Sequence, residues 1–212
     1  MEDCKLEVTK NYRNFLRVKL NYDNRKRLSN HNFSIIASNC IGGVISHELG
    51  ERFNSPTVNL YILPHDYIKF LKSLPTYINE KELKIDIQES DRVKHPVGIL
   101  KDIKIYFVHY HSFEEAKEKW YERCERIKWN NLYIFMVERD ACNTKDILEF
   151  EKLPYNHKIL FTAKEREGNS YWHIPKTTGK DGEVIDLCLY KNKYTGKRWI
   201  DDFDYVNFIN NK

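Results

Sequence analysis

The stretch that most suggests chemistry is Ser38-Asn39-Cys40-Ile41-Gly42, which follows the apolar segment Phe33–Ala37. A small residue, a nucleophile and a glycine at alternate positions are typical of a nucleophile elbow, a tight strand-to-helix turn, here with cysteine as the nucleophile. Asn39 or the backbone N–H of Ile41 would stabilise an oxyanion there, and a helix start favours the thiolate, so we expect a lowered pKa for Cys40. A buried structural cysteine beside a glycine turn is the alternative.

Gly42 and Gly43 suggest a second use of the same turn. Glycines leave room for a ligand, and a helix N-terminus attracts anions, so a phosphate group is another candidate occupant. The stretch has neither the lysine of a P-loop nor the third glycine of a dinucleotide fingerprint. A generic phosphate site therefore stays open.

Candidate partners for the thiol follow other predicted strands. In open α/β sheets, ligands bind at the carboxyl ends of the strands. His109 and His111 end the predicted strand that begins at Ile103 and share one of its faces, so either is a candidate general base. Asp140 follows the predicted strand Leu132–Val137 and is a candidate to orient that histidine. A packing or capping role is the alternative for each histidine.

Two arginines are candidate anion ligands. Arg123 and Arg126 follow Trp120 on a predicted helix from Phe113 to about Lys128. Arg123 borders the apolar stripe of this helix, and Arg126 lies further round toward solvent. A shared role in binding phosphate or carboxylate is one interpretation. Packing over Trp120, or surface ion pairing, is the other.

The spacing of apolar residues predicts strands that alternate with helices, and these elements would position the candidate side chains. The predicted strands are Phe33–Ala37, Thr57–Leu63, Leu83–Ile87, Val97–Leu100, Ile103–Tyr110, Leu132–Val137 and Lys158–Phe161. The predicted helices are Thr9–Leu28, the stretch after Gly42, His65–Leu74, Phe113–Lys128, Thr144–Leu153 and Asp201–Ile209. Ser112 and Glu115 predict a capping box at Phe113.

The alternation favours an α/β fold with a mostly parallel sheet and helices on both faces, a Rossmann-like three-layer arrangement with a β-rich C-terminal extension. We expect Phe33–Ala37, Ile103–Val108, Leu132–Val137 and Lys158–Phe161 to share that sheet. At 212 residues the chain is predicted to be a single domain, 1–212, with a core at about 30–165 and the extension at about 166–212.

Composition narrows the functional classes. The 35 basic and 31 acidic residues are spread along the chain, which argues against nucleic-acid binding. Five cysteines without C-x-x-C spacing argue against a disulfide framework or a zinc site, and no metal site is predicted. No signal peptide or membrane span is evident, so we expect a cytoplasmic protein.

Several stretches resemble a known bacterial family of unknown function whose members are described as exopolysaccharide or capsule biosynthesis proteins. They are FSIIASNCIGG, LGERFNSPTVNLYILPHDYIKFLKSLPTYI, HPVGILKDIKIYFVHYHSFEEAKEKWYERCERI and, more weakly, LPYNHKILFT. The motifs N-C-x-G-G, S-P-T and H-Y-x-S, then W-x-x-R-x-x-R, occur in the family's order. Ile41 stands where the family has an aromatic residue, and Ile45 and Ser46 replace its tyrosine early in the next helix.

The resemblance implies an α/β fold and a surface-polysaccharide context, with no established reaction. It places the following residues on the family pattern: Asn39, Cys40, Gly42, Gly43, Ser55, Pro56, Thr57, His109, Tyr110, Ser112, Trp120, Arg123 and Arg126. Of these, it implies substrate binding by Ser55 and Thr57 beside Asn39, the two glycines and the two arginines.

Together, residues and resemblance predict a cytoplasmic transferase that acts on an activated sugar, a lipid-linked sugar or a growing polysaccharide. Acyl transfer through Cys40, with an acyl-CoA as co-substrate, is the preferred chemistry. One alternative is glycosyl or phosphoglycosyl transfer from a nucleotide sugar, with Cys40 structural. The other is a non-catalytic partner of a polysaccharide assembly complex. Peripheral membrane association is compatible with each, and the sequence leaves the oligomeric state open.

Overall fold

The computed structural model describes residues 2–211, with side chains from Lys10 onward. The helices are α1 Glu2–Arg27, α2 Ile41–Leu49, α3 Pro64–Lys72, α4 Leu74–Ile78, α5 Ile87–Val93, α6 Phe113–Cys124, α7 Thr144–Glu151 and α8 Tyr205–Asn210, with a 3-10 turn at Trp199–Asp202. The strands are β1 Ser34–Ala37, β2 Leu83–Ile85, β3 Val97–Leu100, β4 Ile103–Tyr106, β5 Leu132–Val137, β6 Lys158–Thr162 and β7 Tyr171–His173. None of the described helices is long and apolar enough to cross a bilayer.

The main sheet has four parallel strands in the order β1-β5-β6-β7. Ile35 pairs with Tyr133, and Phe135 pairs with Ile159. β5 is nearly all apolar because it is central and is covered on both faces. The predicted α/β fold with a mostly parallel sheet is confirmed.

Alternate residues of the sheet feed two separate cores. Ile35 and Ala37 face a core built with α2, α8 and the residues after β7. Ile36 faces the opposite core, which includes α3, α6 and α7. Because successive strand side chains point to opposite faces, one short strand serves both cores. This gives the predicted three layers.

One predicted member of the main sheet lies elsewhere. Residues of β4 pair antiparallel with β3, which pairs in turn with β2, to form a second, three-stranded sheet. The prediction that Ile103–Val108 joins the parallel sheet is therefore wrong. Only Lys101 and Asp102 connect β3 to β4, with Lys101 at φ 55°. A two-residue connection makes a hairpin, whereas a parallel crossover needs a dozen residues or more.

The prediction of a strand at Thr57–Leu63 is also wrong. Asn59 has φ 62°, which interrupts an extended chain, and Tyr61 makes an isolated bridge to Tyr106. This segment instead covers the open edge of β1 through side chains and single backbone bonds. The Thr57 hydroxyl accepts from the Ala37 N–H at 3.0 Å, and the Ile62 N–H donates to the Ser38 carbonyl at 2.9 Å. The edge is thus closed without a continuous ladder.

The start of α6 is capped largely as predicted. The Ser112 hydroxyl accepts from the Glu115 N–H at 3.1 Å, which satisfies one free donor of the first turn. The Glu115 carboxylate accepts from the His111 N–H at 3.2 Å, one residue earlier than a capping box requires.

The C-terminal extension adds β7 to the main sheet, makes isolated bridges at Thr178–Val184 and Tyr190–Arg198, and otherwise runs as turns before α8. Its attachment to α1 and α2 is ionic as well as apolar. The buried Glu48 of α2 is paired with the buried Arg17 of α1 and with the partly exposed Arg198 of the extension. Arg17 also pairs with Asp201 at 2.5 Å. The division of the domain at about residue 165 stays a prediction.

Replacing Glu48 should destabilise the fold strongly. In Glu48→Gln, two arginines keep their charge while their shared carboxylate is lost, and breaking a buried pair costs about 3–5 kcal/mol. Urea denaturation would measure the free energy of unfolding. Glu149→Gln is the matched control, since Glu149 pairs with Lys72 and Lys152 at the surface and its loss should change little. Equal stability of the two variants would contradict a structural role for the network.

Candidate functional site at the carboxyl edge of the parallel sheet

Cys40 lies on the turn between β1 and α2, as predicted, and is the residue before the first helical position. Its half-buried sulfur lies 3.8 Å from the Leu60 carbonyl, in a sulfur hydrogen bond. The pKa of the thiol is raised to about 11, mainly by burial and also by the nearby Asp186 carboxylate, and Arg139 only partly opposes this. The expectation of a lowered pKa is wrong, because desolvation outweighs the helix N-terminus.

The first turn of α2 has both used and unused donors. The Asn39 side-chain oxygen accepts from the Ile41 N–H at 3.2 Å, so both are engaged with each other and that N–H is unavailable to an oxyanion. The Val44 N–H is bonded to the Cys40 carbonyl. In the described part of the chain, no acceptor is bonded to the N–H of Gly42 or Gly43. Two helix-start donors therefore remain for a ligand.

The two glycines themselves are explained by packing. A Cβ atom on Gly42 would lie 2.8 Å from Ile35 Cγ2 and 3.0 Å from Ala37 Cβ. One on Gly43 would lie 3.1 Å from Val58 Cγ1. The expectation that the missing Cβ atoms leave space for a ligand is wrong, because Ile35, Ala37 and Val58 fill the positions that those atoms would take. The absent side chains let α2 approach β1 and the segment beside it.

Charged groups from two segments lie near the turn. Arg139 and Asp140 follow β5, and Arg139 Nε lies 3.2 Å from Asp140 Oδ2. Asp140 and Ala141 both have positive φ, and their N–H groups donate to the Glu183 carboxylate at 2.8 Å each. Asp186, close enough to act on Cys40, comes with Glu183 from the extension. These two segments thus bring Arg139 and several carboxylates to the carboxyl edge.

The predicted histidines do not complete a thiol–base pair. His109 and His111 are both exposed, and within residues 10–211 neither imidazole is hydrogen-bonded to Cys40 or Asp140. They follow β4 of the small sheet, so the shared edge on which their placement relied does not exist. Between them, the Tyr110 hydroxyl donates to the Val58 carbonyl at 2.9 Å and accepts from Arg123.

The S-P-T motif is buried and internally bonded. The Ser55 and Thr57 hydroxyls lie 2.9 Å apart, and Ser55 also accepts from the Thr57 N–H. Together with the Thr57 bond to β1, these contacts close the sheet edge. Both hydroxyls therefore have structural partners, and their predicted role in binding substrate stays a prediction.

The two arginines differ as predicted, since Arg123 is only 8% exposed and Arg126 is more exposed. Arg123 donates to the Tyr110 hydroxyl at 2.5 Å and to the Val58 carbonyl, and lies over the Phe53 ring. Arg126 pairs with Glu122 and donates to the Phe53 carbonyl. Asn54, the residue after Phe53, is bonded to Phe33, which precedes β1. Arg126 therefore lies toward the amino end of β1, about 15–20 Å from Cys40.

An aromatic cluster beside the turn was not predicted from the sequence. Tyr61 and Tyr106 stack with centroids 4.5 Å apart and an interplanar angle of 7°, and His95 contacts both edge-on. Burial raises the pKa of Tyr61, and the Asp140 carboxylate raises it further, so Tyr61 lies near that acid. The Tyr106 hydroxyl donates to Glu89 at 3.1 Å. Tyr61 is only half-buried.

Comparison with known proteins places the chain in a family. Residues 11–210 match the domain family described as Domain of unknown function (DUF1919). The chain belongs to the DUF1919 family. An uncharacterized protein of Haemophilus influenzae is similar, with 36% identity over 209 residues, or 99% of this chain and 97% of that protein. The DUF1919 match runs past the parallel sheet to include the extension that carries Glu183 and Asp186.

Alkylation kinetics would check the state of Cys40. With a pKa of about 11, roughly one thiol in a thousand is ionised at pH 8, against about one in ten at the ordinary value of 9.0. Iodoacetamide labelling of Cys40 should therefore be slow and rise about tenfold per pH unit up to about pH 10. A fast, pH-independent rate would contradict this.

The order of labelling provides the internal control. Burial raises the pKa of Cys124 and Cys142 to about 12 and that of Cys188 higher still, so Cys40 should react first of these four. The measurement belongs in a Cys4→Ser background, because the side chain of Cys4 lies outside the described residues.

A double-mutant cycle would check the packing role of Gly42. Gly42→Ala should lower stability, because its Cβ atom would press on Ile35 Cγ2. In the Ile35→Ala background, which removes that methyl group, the cost of Gly42→Ala should fall by at least half. Additive effects in thermal unfolding would instead place the strain elsewhere.

Proposed function

We propose that this DUF1919 protein is a transferase of surface-polysaccharide biosynthesis that binds a phosphorylated sugar donor at the carboxyl edge of its parallel sheet. A nucleotide sugar or lipid-linked sugar phosphate is the donor class, the acceptor is a sugar or a growing polysaccharide, and the compartment is the cytoplasm. The polysaccharide context rests on the resemblance of the N-C-x-G-G, S-P-T and H-Y-x-S motifs to proteins described that way.

The observation that carries this proposal is the pair of unused N–H groups of Gly42 and Gly43 in the first turn of α2. Arg139 lies close enough for its charge to act on Cys40, the residue before that turn. A helix N-terminus carries partial positive charge, so a neighbouring guanidinium is favourable there only if negative charge lies close by. Asp140 and Asp186 supply part of it. A phosphate bound between the two N–H groups and Arg139 would satisfy donors that the protein leaves open.

The stacked tyrosines would bind the sugar or nucleobase of the ligand. The half-buried Tyr61 is held flat by Tyr106 on one side, and flat aromatic rings bind the apolar faces of sugars and nucleobases. The polar rim provided by Asp140 fits the hydroxyl groups of a sugar.

In the proposed reaction, the Asp140 or Asp186 carboxylate accepts the proton of an acceptor hydroxyl. The acceptor oxygen then forms a bond to the anomeric carbon, and the bond from that carbon to the donor phosphate breaks. The phosphate leaves with the electron pair, and the N–H groups with Arg139 stabilise its charge. In phosphoglycosyl transfer, the acceptor oxygen instead forms a bond to the phosphorus that carries the sugar, and the bond from that phosphorus to the oxygen of the nucleoside phosphate breaks. The nucleoside phosphate leaves with the electron pair, and the same N–H groups and Arg139 stabilise its charge.

Acyl transfer through Cys40 is the less favoured chemistry. It needs the thiolate, and the raised pKa leaves that form scarce at neutral pH. It also needs a base at the sulfur, whereas the described bond of the sulfur is to a carbonyl.

Ligand-dependent thermal unfolding would test the proposal. Nucleoside-diphosphate sugars should raise the unfolding temperature, because ligands that bind only the folded state stabilise it. Arg139→Ala and Tyr61→Ala should each abolish most of that shift. Arg27→Ala and Tyr22→Ala are controls, since both residues are exposed on α1. If no nucleotide sugar shifts the transition, or all four variants respond equally, the proposed donor site is wrong.

Mass spectrometry separates the two chemistries. After incubation with acetyl-CoA, an acetyl adduct on the peptide that contains Cys40 would support acyl transfer. A Cys40→Ser variant that retains nucleotide-sugar binding and sugar transfer would support the proposed chemistry.

A further inference from the structure

The longest helix leaves apolar side chains in solvent. Tyr12, Phe15, Val18 and Tyr22 of α1 are 55%, 66%, 67% and 56% exposed. Their spacing of three to four residues brings them onto one side of the helix. We refer to these four residues as the α1 face.

The opposite side of α1 already holds the helix on the protein. Arg17 is buried against Glu48 and Asp201, and the Asn24 amide donates to the Tyr205 hydroxyl at 3.0 Å. Leu28 joins the core beneath the sheet. The α1 face therefore points away from the domain and contributes nothing to the core.

Positive charge surrounds the α1 face. Lys19 and Lys26 lie between its apolar residues on the helical wheel, and Lys26 Nζ lies 4.4 Å from the centre of the Tyr22 ring. Neither lysine has a carboxylate partner in the part of the chain with described side chains. From residue 10 to residue 27, Asp23 is the only acidic residue, against seven lysines and arginines.

The loop of residues 193–197, which packs on α1, also carries exposed aromatic and basic side chains. Gly196 packs so closely on α1 that a Cβ atom there would lie 2.4 Å from the Arg17 nitrogen. Beside it, Tyr194 is exposed with Lys193 over its ring, and Lys197 lines a cavity of about 260 Å³ together with Lys19. Aromatic rings and lysines thus recur on both sides of the contact.

We propose that the α1 face binds the surface of an anionic phospholipid bilayer, with the helix lying parallel to it. An apolar stripe with aromatic residues, flanked by lysines, is typical of interfacial helices. The rings would enter the boundary of the acyl chains while the lysines reach lipid phosphates. A second copy of this chain is the poorer occupant, because its α1 face carries the same lysines and the contact would bring like charges together. The inference does not depend on the proposed reaction.

Vesicle co-sedimentation of the full chain tests the proposal. We expect binding to vesicles of phosphatidylcholine with 30–40% phosphatidylglycerol, and weak binding to phosphatidylcholine alone. Raising the salt from about 0.05 to 0.5 M should weaken the anionic binding several-fold, because salt screens the lysines.

Variants locate the contact. Phe15→Ser with Val18→Ser, and separately Lys19→Glu with Lys26→Glu, should each reduce binding about tenfold or more. These side chains are exposed, so circular dichroism and unfolding temperature should be unchanged. Ile87→Ser is the matched control, because Ile87 of α5 is equally exposed and lies outside the α1 face. It should bind vesicles normally.

Three results would overturn the proposal. The first is no binding to anionic vesicles, and the second is binding that both double variants retain. The third is a dimer in size-exclusion chromatography with light scattering that Phe15→Ser/Val18→Ser dissolves, without vesicle binding, which would make a second copy the occupant.

Discussion

The position of the C-terminal extension relative to α1 and α2 depends on the charge network centred on Glu48. Glu48 lies in the last turn of α2, and its two arginine partners come from opposite ends of the chain. Asp201 balances the second positive charge, so the set of four is neutral overall. A buried charge without a partner is strongly destabilising, so α1, α2 and the extension pack together only in the arrangement that pairs these four residues. It fixes the extension, with Asp186, relative to the helix that follows Cys40.

Backbone hydrogen bonds position the stacked tyrosines, Tyr61 and Tyr106, beside the turn at Cys40. Ile62 donates to the carbonyl of Ser38, and Tyr61 exchanges two bonds with Tyr106, at 2.9 Å in each case. Two consecutive residues thereby join the parallel sheet to the antiparallel one. The aromatic stack lies beside the turn because its two rings belong to residues that these bonds bring opposite each other. The site is therefore a junction between two sheets as well as the edge of one.

Elements set by local pattern could be predicted from the sequence. β1, β5 and β6 are short apolar runs, and the turn at Cys40 follows from a strand that meets a glycine pair. The two-residue connection at Lys101 and Asp102 indicates a hairpin, and this local signal outweighs the strand–helix alternation that favours a parallel Ile103–Val108. Glu183 and Asp186 could not be predicted as site residues, because they lie in turns whose position is set by contacts with distant segments. The pKa of Cys40 depends on burial, which the spacing of residues does not reveal.

The side-chain cover of β1 has a consequence for the order of events during synthesis. Thr57 is 20 residues from the Ala37 N–H that it caps, whereas β5, the strand partner of β1, emerges about 100 residues after it. Nearby segments meet sooner than distant ones, since a short loop costs less entropy to close. One edge of β1 can therefore be occupied before its partner strand β5 has been synthesised. A nascent strand with one edge occupied has fewer ways to pair with another chain, so the bond from the Ala37 N–H to the Thr57 hydroxyl would limit mispairing of β1 before β5 is synthesised.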